Sequence, residues 1–309
     1  MSNKVPIAIF TGTISALAFL SVLSGSILAL PIFYVASVPI YFAGLSIGAK
    51  GVIYAGVSGI LVSFILGQGL AIIPFMAASL IPALVICTYF LGHKSKSKGE
   101  VEWRPLGTVL AYLIGLGAVL LCCIGFWAEQ HSSFEALVVS NLGQALNSLA
   151  PGLPDQIYNA TLNSISPLFP GMAISSWIIM NIVNAILAQW CLVRANSNLR
   201  PTPKYSDIKV PEWSSIAFVV MCALTLIASS NWGYTFTNVA LILAIPFFLL
   251  GLAVAHKFLE RARFSGFLTA AFYMSLMISG WTSLIITFIG AIEQWFGLRI
   301  LITTQQNEE

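Results

Sequence analysis

The chain has 309 residues, 58% of them hydrophobic and only 8% charged, with a formal net charge of +3. About a quarter of an ordinary soluble domain is charged, so this composition, with a mean hydropathy of +0.90, excludes a soluble globular domain and leaves lipid as the solvent. The net charge itself carries no nucleic-acid signal, and no nucleic-acid partner is expected; the placement of the charges speaks to topology.

Apolar runs fall at about 5–24, 28–47, 51–68, 70–91, 107–127, 168–192, 214–230, 236–255 and 264–298. Roughly 17–25 apolar residues cross the hydrocarbon of a bilayer. Backbone groups inside lipid must pair within the segment, so each run is read as helix. The expected fold is all-α: a polytopic transmembrane bundle of about 8–10 spans, forming one integral membrane domain over 1–309.

The first run, "MSNKVPIAIFTGTISALAFLSVLSG", has only Lys4 ahead of it and no clear small-residue cleavage site. It is read as an uncleaved span. Its Gly12 and Ala16 stand four apart. The second run carries Pro31 and Pro39, then Gly44 and Gly48 before Lys50. Pro39 removes a backbone donor and bends the helix. In the third run Ala55, Gly59, Ser63 and Gly67 repeat every fourth residue. Small residues at that spacing let helices approach closely. Gly12, Ala16, Gly44, Gly48, Ala55, Gly59, Ser63 and Gly67 are therefore the expected helix-packing positions.

The basic residues give the topology. Lys4 precedes the first run and Lys50 follows the second. Lys94, Lys96, Lys98 and Arg104 follow the fourth, Arg194, Arg200, Lys204 and Lys209 the sixth, and Lys257, Arg261 and Arg263 the eighth. The intervening loops at 24–27, 68–70, 128–167 and 231–235 hold neither Lys nor Arg. Basic loops mark the cytoplasmic side, so the N-terminus is expected to be cytoplasmic. The last run has a weak point at Ser279–Trp281. Arg299 is cytoplasmic if the chain turns back there, giving ten spans, and external if nine.

Residues 128–167 form the one long external segment, read as an amphipathic insertion. Phe134, Leu137, Val138, Leu142, Ala145, Leu146 and Leu149 recur at helical spacing. "PGLP" ends that helix, and a second, weaker one follows. It is either a packed cap or a lid.

No nucleotide-binding, zinc-protease or nucleophile-elbow pattern is present. His93, His131 and His256 lie in or beside different loops, and the five cysteines all lie in apolar runs. No catalytic residue, metal site or cofactor is assigned. Polar residues inside spans are the remaining signal, because burying them requires partners. Trp177, Asn181 and Asn184 stand at i, i+4 and i+7 in the outer half of the sixth run. Asn231, Trp232, Tyr234 and Asn238 cluster at the outer end of the seventh and eighth. This aromatic–amide set either binds a neutral or zwitterionic solute or bonds helix to helix. Glu293, the sole acid of the last run, marks a helix end or a proton relay.

"VPIYFAGLSIGAKGVIYAGVSGIL", through Pro39, Gly44 and Gly48, resembles the proline–glycine pattern of the second and third helices in substrate-binding subunits of energy-coupling-factor vitamin transporters. In those subunits a small-xxx-small pattern like that of Gly12 and Ala16 docks on a membrane partner. The whole chain is more similar to the YybS-like family of bacterial multi-pass membrane proteins, thought to be distantly related to them. "PIYFAGLSIGAKG", "LRPTPKYSDIKVPEW", "NVALILAIPFFLLGLAVAH" and "GAIEQWFGLR" carry that likeness. The family tail often has Asp where Glu293 stands, and several arginines beyond it. The chain is also longer than a vitamin-binding subunit, so no substrate carries over. The resemblance implies a membrane protein that binds or moves a small organic solute, with the bilayer and other membrane subunits as partners. The alternative is a non-transporting scaffold or assembly factor.

Overall fold

A computed structural model describes residues 4–95, 101–203, 208–228, 230–259, 262 and 264–297. Lys96, Lys98, Lys204, Arg261, Arg263 and Arg299, used above for topology, lie outside them. Among the described residues the fold is helical except for one two-stranded hairpin, so the protein is a polytopic helical membrane protein. Seven helical stretches are long and apolar enough to cross a bilayer by length and composition. A further pair, α14 (Ser265–Ile278) and α15 (Gly280–Phe296), passes only together and is bent by 112°. The bend falls at Ser279, whose backbone is extended, inside the weak point at Ser279–Trp281. The chain divides into two compact units, residues 1–113 with 176–204 and residues 114–175 with 205–309.

The first unit contains α1 (Lys4–Leu20), α2 (Ala29–Tyr34), α3 (Val38–Ile47), α4 (Ala49–Leu66), α5 (Ile72–Phe75), a π-turn at Met76–Leu80 and α6 (Ile81–Phe90). Helix α1 crosses α4 at small residues. A Cβ on Gly12 would overlap the carbonyl oxygen of Ala55, and one on Gly59 would come within 2.5 Å of the Phe75 ring. Ala16 and Ala55 are buried, as is Ser63. Gly44 faces Cys87 and Val52, and Gly67 lies against Ser63 and Ala71. Gly48 is different. Its φ of +93° makes the turn from α3 to α4, and a Cβ there would meet nothing within 4 Å. It serves the turn, not the packing. Phe19, Phe75, Ala16 and Ala36 form the core between α1 and the short helices.

Strands β1 (His93–Ser95) and β2 (Val101–Trp103) pair antiparallel after α6. Behind them Arg200 is buried. Its Nη1 donates to Phe90 O at 2.6 Å and its Nη2 to Arg104 O at 2.9 Å. The guanidinium also sits 4.5 Å from the Phe90 ring centre. Burial pushes the Arg200 pKa down from its usual value, and the two carbonyls oppose that by bonding the charged form. Gln189 Nε2 donates back to Arg200 O at 2.8 Å. One arginine thus ties the end of α6, the segment just ahead of α7 (Leu106–His131) and the loop after α10 (Phe169–Arg194).

In the second unit, α8 (Phe134–Leu149) starts on Ser133, whose side chain accepts from Ala136 N at 3.4 Å. Its buried face is narrower than the apolar spacing suggests: Phe134 and Gly143 are buried, while Ala145 and Leu149 are exposed. Gly143 owes its burial to α9 (Asp155–Ile165), whose Tyr158 lies over it. Helices α11 (Glu212–Ile227), α12 (Ser230–Leu243) and α13 (Ile245–Leu259) follow. At 16 residues α11 is shorter than an ordinary span. Helix α13 meets α15 at Gly251 and Gly290, where any Cβ would overlap backbone of the facing helix. Glu293 is buried near the end of α15. Of the cysteines in apolar runs, Cys87 is buried and Cys123 is exposed on an apolar helix face. A face that meets lipid tolerates a small apolar side chain as well as a core does.

Candidate functional site

The second span is broken near its middle, and the break organises the polar side chains of the first unit. In a continuous α-helix Val38 N would donate to Tyr34 O. Here it donates to Val35 O at 3.0 Å. Pro39 has no N–H for Val35 O, and its ring disfavours the helical turn behind it. The ladder therefore opens over Val35–Ser37, ahead of the proline, and α3 starts afresh with Pro39 in its first turn.

Carbonyls released in this way cost several kcal/mol each in lipid unless another donor reaches them. Two side chains do. Ser15 Oγ, from α1, donates to Ala36 O at 2.6 Å. Asn184 Nδ2, from α10, donates to Tyr34 O at 2.9 Å. Ser37, inside the break, donates its hydroxyl to Ser79 Oγ at 2.8 Å. Ser79 belongs to the π-turn of the fourth span, where Pro82 likewise removes the donor that Ala78 O would use. One turn on, Tyr41 donates its hydroxyl to Asn181 Oδ1 at 2.9 Å, and Asn181 Nδ2 donates to Trp177 O at 2.9 Å.

Ser15, Ser37, Tyr41, Ser79, Asn181 and Asn184 are all at most 1% exposed. They come from five chain segments of one unit. Almost every polar atom has its partner, but Asn184 Oδ1 has none. An unpartnered buried acceptor costs about 1–3 kcal/mol and marks where a donor is wanted.

Asn181 and Asn184 therefore stand together, near the centre of α10. Trp177 enters through its carbonyl, with its ring half-buried. The second expected group is a separate arrangement in the second unit. Tyr234 OH donates to Ser166 O at 2.7 Å. Asn238 Nδ2 donates to Pro167 O at 3.0 Å, and Asn238 Oδ1 accepts from Gly171 N at 2.8 Å. These two residues fasten the tight turn at Ser166–Leu168 that launches α10. Trp232 packs beside Phe126 and Phe236. The side chain of Asn231 lies outside the described residues.

Sequence reasoning did not single out Ser15, Ser37, Tyr41 or Ser79. Serines are common in membrane helices, and only the proline four residues after Val35 signals that nearby carbonyls need donors. The small-residue face of Gly12 and Ala16, which the resemblance assigns to docking on a partner, is buried inside the chain against α4. The second unit also carries an apolar groove of about 480 Å³, lined by residues including Phe218, Phe248, Leu284 and Phe288. Among the described residues no group of three or more His, Cys, Asp or Glu could hold a metal ion.

A family model described as "Predicted membrane protein (DUF2232)" matches residues 13–293. No curated protein and no solved structure matches the chain.

Proposed function

The chain belongs to the DUF2232 family of predicted membrane proteins, and from that footing we propose that it binds a small, uncharged organic solute in its first unit, at the break in the second span. The observation that carries this reading is Asn184 Oδ1, a buried acceptor with no partner beside an opened stretch of helix. A solute N–H or O–H would satisfy it and recover the free energy that the bare atom costs. Interrupted helices near the bilayer midplane are where many transporters place their binding sites. The resemblance to substrate-binding subunits supports the same use, with transport depending on a membrane partner. The reading is of binding without chemistry: hydroxyls and carboxamides orient a ligand, and none of the cluster's side chains is a strong acid or base.

The basic-loop pattern supports a cytoplasmic N-terminus, with the β1–β2 hairpin and Arg200 inside and α8 and α9 outside, and the resemblance to a bacterial family supports a bacterial cytoplasmic (inner) membrane. A scaffold role is the second reading. It draws on Tyr41–Asn181 and on the three bonded partners of Asn238, amides already consumed within the chain.

Thermal unfolding with and without a fractionated metabolite pool separates the two. A bound solute stabilises the fold by RT ln(1 + [L]/Kd), about 2.7 kcal/mol at a hundredfold excess over Kd. Wild type should shift with at least one fraction, and Asn184→Leu should lose that shift, its ligand-free melt falling by about 1–3 kcal/mol for the Tyr34 carbonyl left bare. If no fraction moves the wild type, the scaffold reading stands.

A further inference from the structure

We infer that the break at Val35–Ser37 is a hinge, on which α2 swings while side chains of α1 and α10 latch it. The hinge stands or falls independently of any solute.

The two halves of the span are held very differently. Helix α3 buries Ile40, Tyr41, Ala43, Gly44 and Leu45, whereas α2 buries only Ala29. Leu30, Ile32, Tyr34 and Val35 are all exposed. So α3 is anchored, and α2 lies on the surface with the Phe33 ring resting against Phe19. Both ends of α2 are jointed. Upstream, Gly25 has a φ of +66° after a short 3-10 turn. Downstream lies the break itself.

A continuous helix resists bending because each turn of the ladder must open. Here the ladder is already open. Tyr34 O and Ala36 O take their bonds from Asn184 and Ser15, so pivoting α2 on α3 exchanges side-chain bonds and leaves both helical halves intact. Interhelical side-chain bonds in bilayers are weak enough to be exchanged. The hydroxyl pair Ser37–Ser79 ties the hinge to the π-turn of the fourth span, a second opened piece of helix. π-turns inside helices commonly sit at functional positions. Hinges that absorb backbone change at a few terminal residues of elements are a standard route to domain and helix motion.

The test uses full-length protein in nanodiscs, with its five cysteines replaced by alanine and nitroxides placed at Ile32 and Lys50, either side of the hinge. A pair at Ile53 and Leu66, both exposed on the unbroken α4, is the control. Pulsed-EPR distances should be narrow for the control and broad or two-peaked for Ile32–Lys50. Asn184→Leu and Ser15→Ala should each shift the Ile32–Lys50 populations toward the displaced position by about threefold, the factor that corresponds to an average interhelical bond of about 0.6 kcal/mol. Pro39→Ala, which restores the missing donor, should narrow the distribution. The control pair within α4 gives the width that a rigid helix shows, and an unchanged monodisperse elution certifies that each variant is folded. An Ile32–Lys50 distance as narrow as the control, or one that neither latch substitution moves, overturns the hinge.

Discussion

Replacing Asn181 by leucine and Tyr41 by phenylalanine, singly and together, tests whether the cluster is bonded as described. Tyr41 OH and Asn181 Oδ1 are 2.9 Å apart, and both residues are fully buried. Asn181→Leu is close in volume, so it opens little cavity, but it leaves the Tyr41 hydroxyl without an acceptor. It also removes the bond from Nδ2 to Trp177 O. An unsatisfied buried group costs about 1–3 kcal/mol, so this single change should destabilise by that amount. Tyr41→Phe strands Asn181 Oδ1 in the same way and should cost a similar amount. With both made, no polar atom of the pair is left bare, and the second substitution should be nearly free. The cycle should then show a coupling of about 1–2 kcal/mol, at the upper end of interhelical bonds in bilayers. Reversible unfolding in mixed micelles reads all four proteins. Single effects that simply add, within about 0.5 kcal/mol, would refute the bond.

Gly12→Ala should destabilise by about 1–3 kcal/mol, because its Cβ overlaps the backbone of α4 and cannot be accommodated by a rotamer change. The same change at Gly266, where a Cβ meets nothing within 4 Å, should be neutral or stabilising by about 0.5 kcal/mol; equal effects in unfolding assays would refute the close α1–α4 crossing. Arg200→Met strips donors from Phe90 O and Arg104 O and should cost about 1–3 kcal/mol for each carbonyl left bare. A change in thermal stability within about 0.5 kcal/mol would mean that the arginine is not the tie described. In a cysteine-free background, an impermeant maleimide added to spheroplasts should label a cysteine at Asn147 and spare one at Ser95; the opposite pattern would invert the topology.

The spans were legible because apolar length alone sets them, and the ends of α1, α4 and α7 fall close to the runs read from sequence. The weak point at Ser279–Trp281 was legible for the same reason: small and polar residues interrupt an otherwise apolar run, and the chain bends there by 112°. Pro39 announced a bend, but not that the opening lies ahead of it, over Val35–Ser37. That displacement follows from the ring acting on the preceding turn. Asn181 and Asn184 stood out as amides in lipid. Their partners did not, because Tyr41 is 140 residues away from Asn181 and nothing in a local pattern pairs them. The stripe of Gly12 and Ala16 and the stripe of Ala55 and Gly59 were each visible. Spacing reports that a helix can approach closely, not which helix it meets, and here the two stripes meet each other. Tyr234 and Asn238 were read with the α10 amides, yet their bonds go to the turn at Ser166–Gly171, a backbone feature with little side-chain signature.

Native mass spectrometry of protein released directly from its own membrane tests the central claim most directly, since it asks whether Asn184 holds a solute. Wild type and a control substituted at an exposed hydroxyl, Ser164→Ala, should carry the same small-molecule adduct, and Asn184→Leu should have lost it while remaining folded. An adduct retained by Asn184→Leu, or none on the wild type, would contradict a solute site at the broken second span.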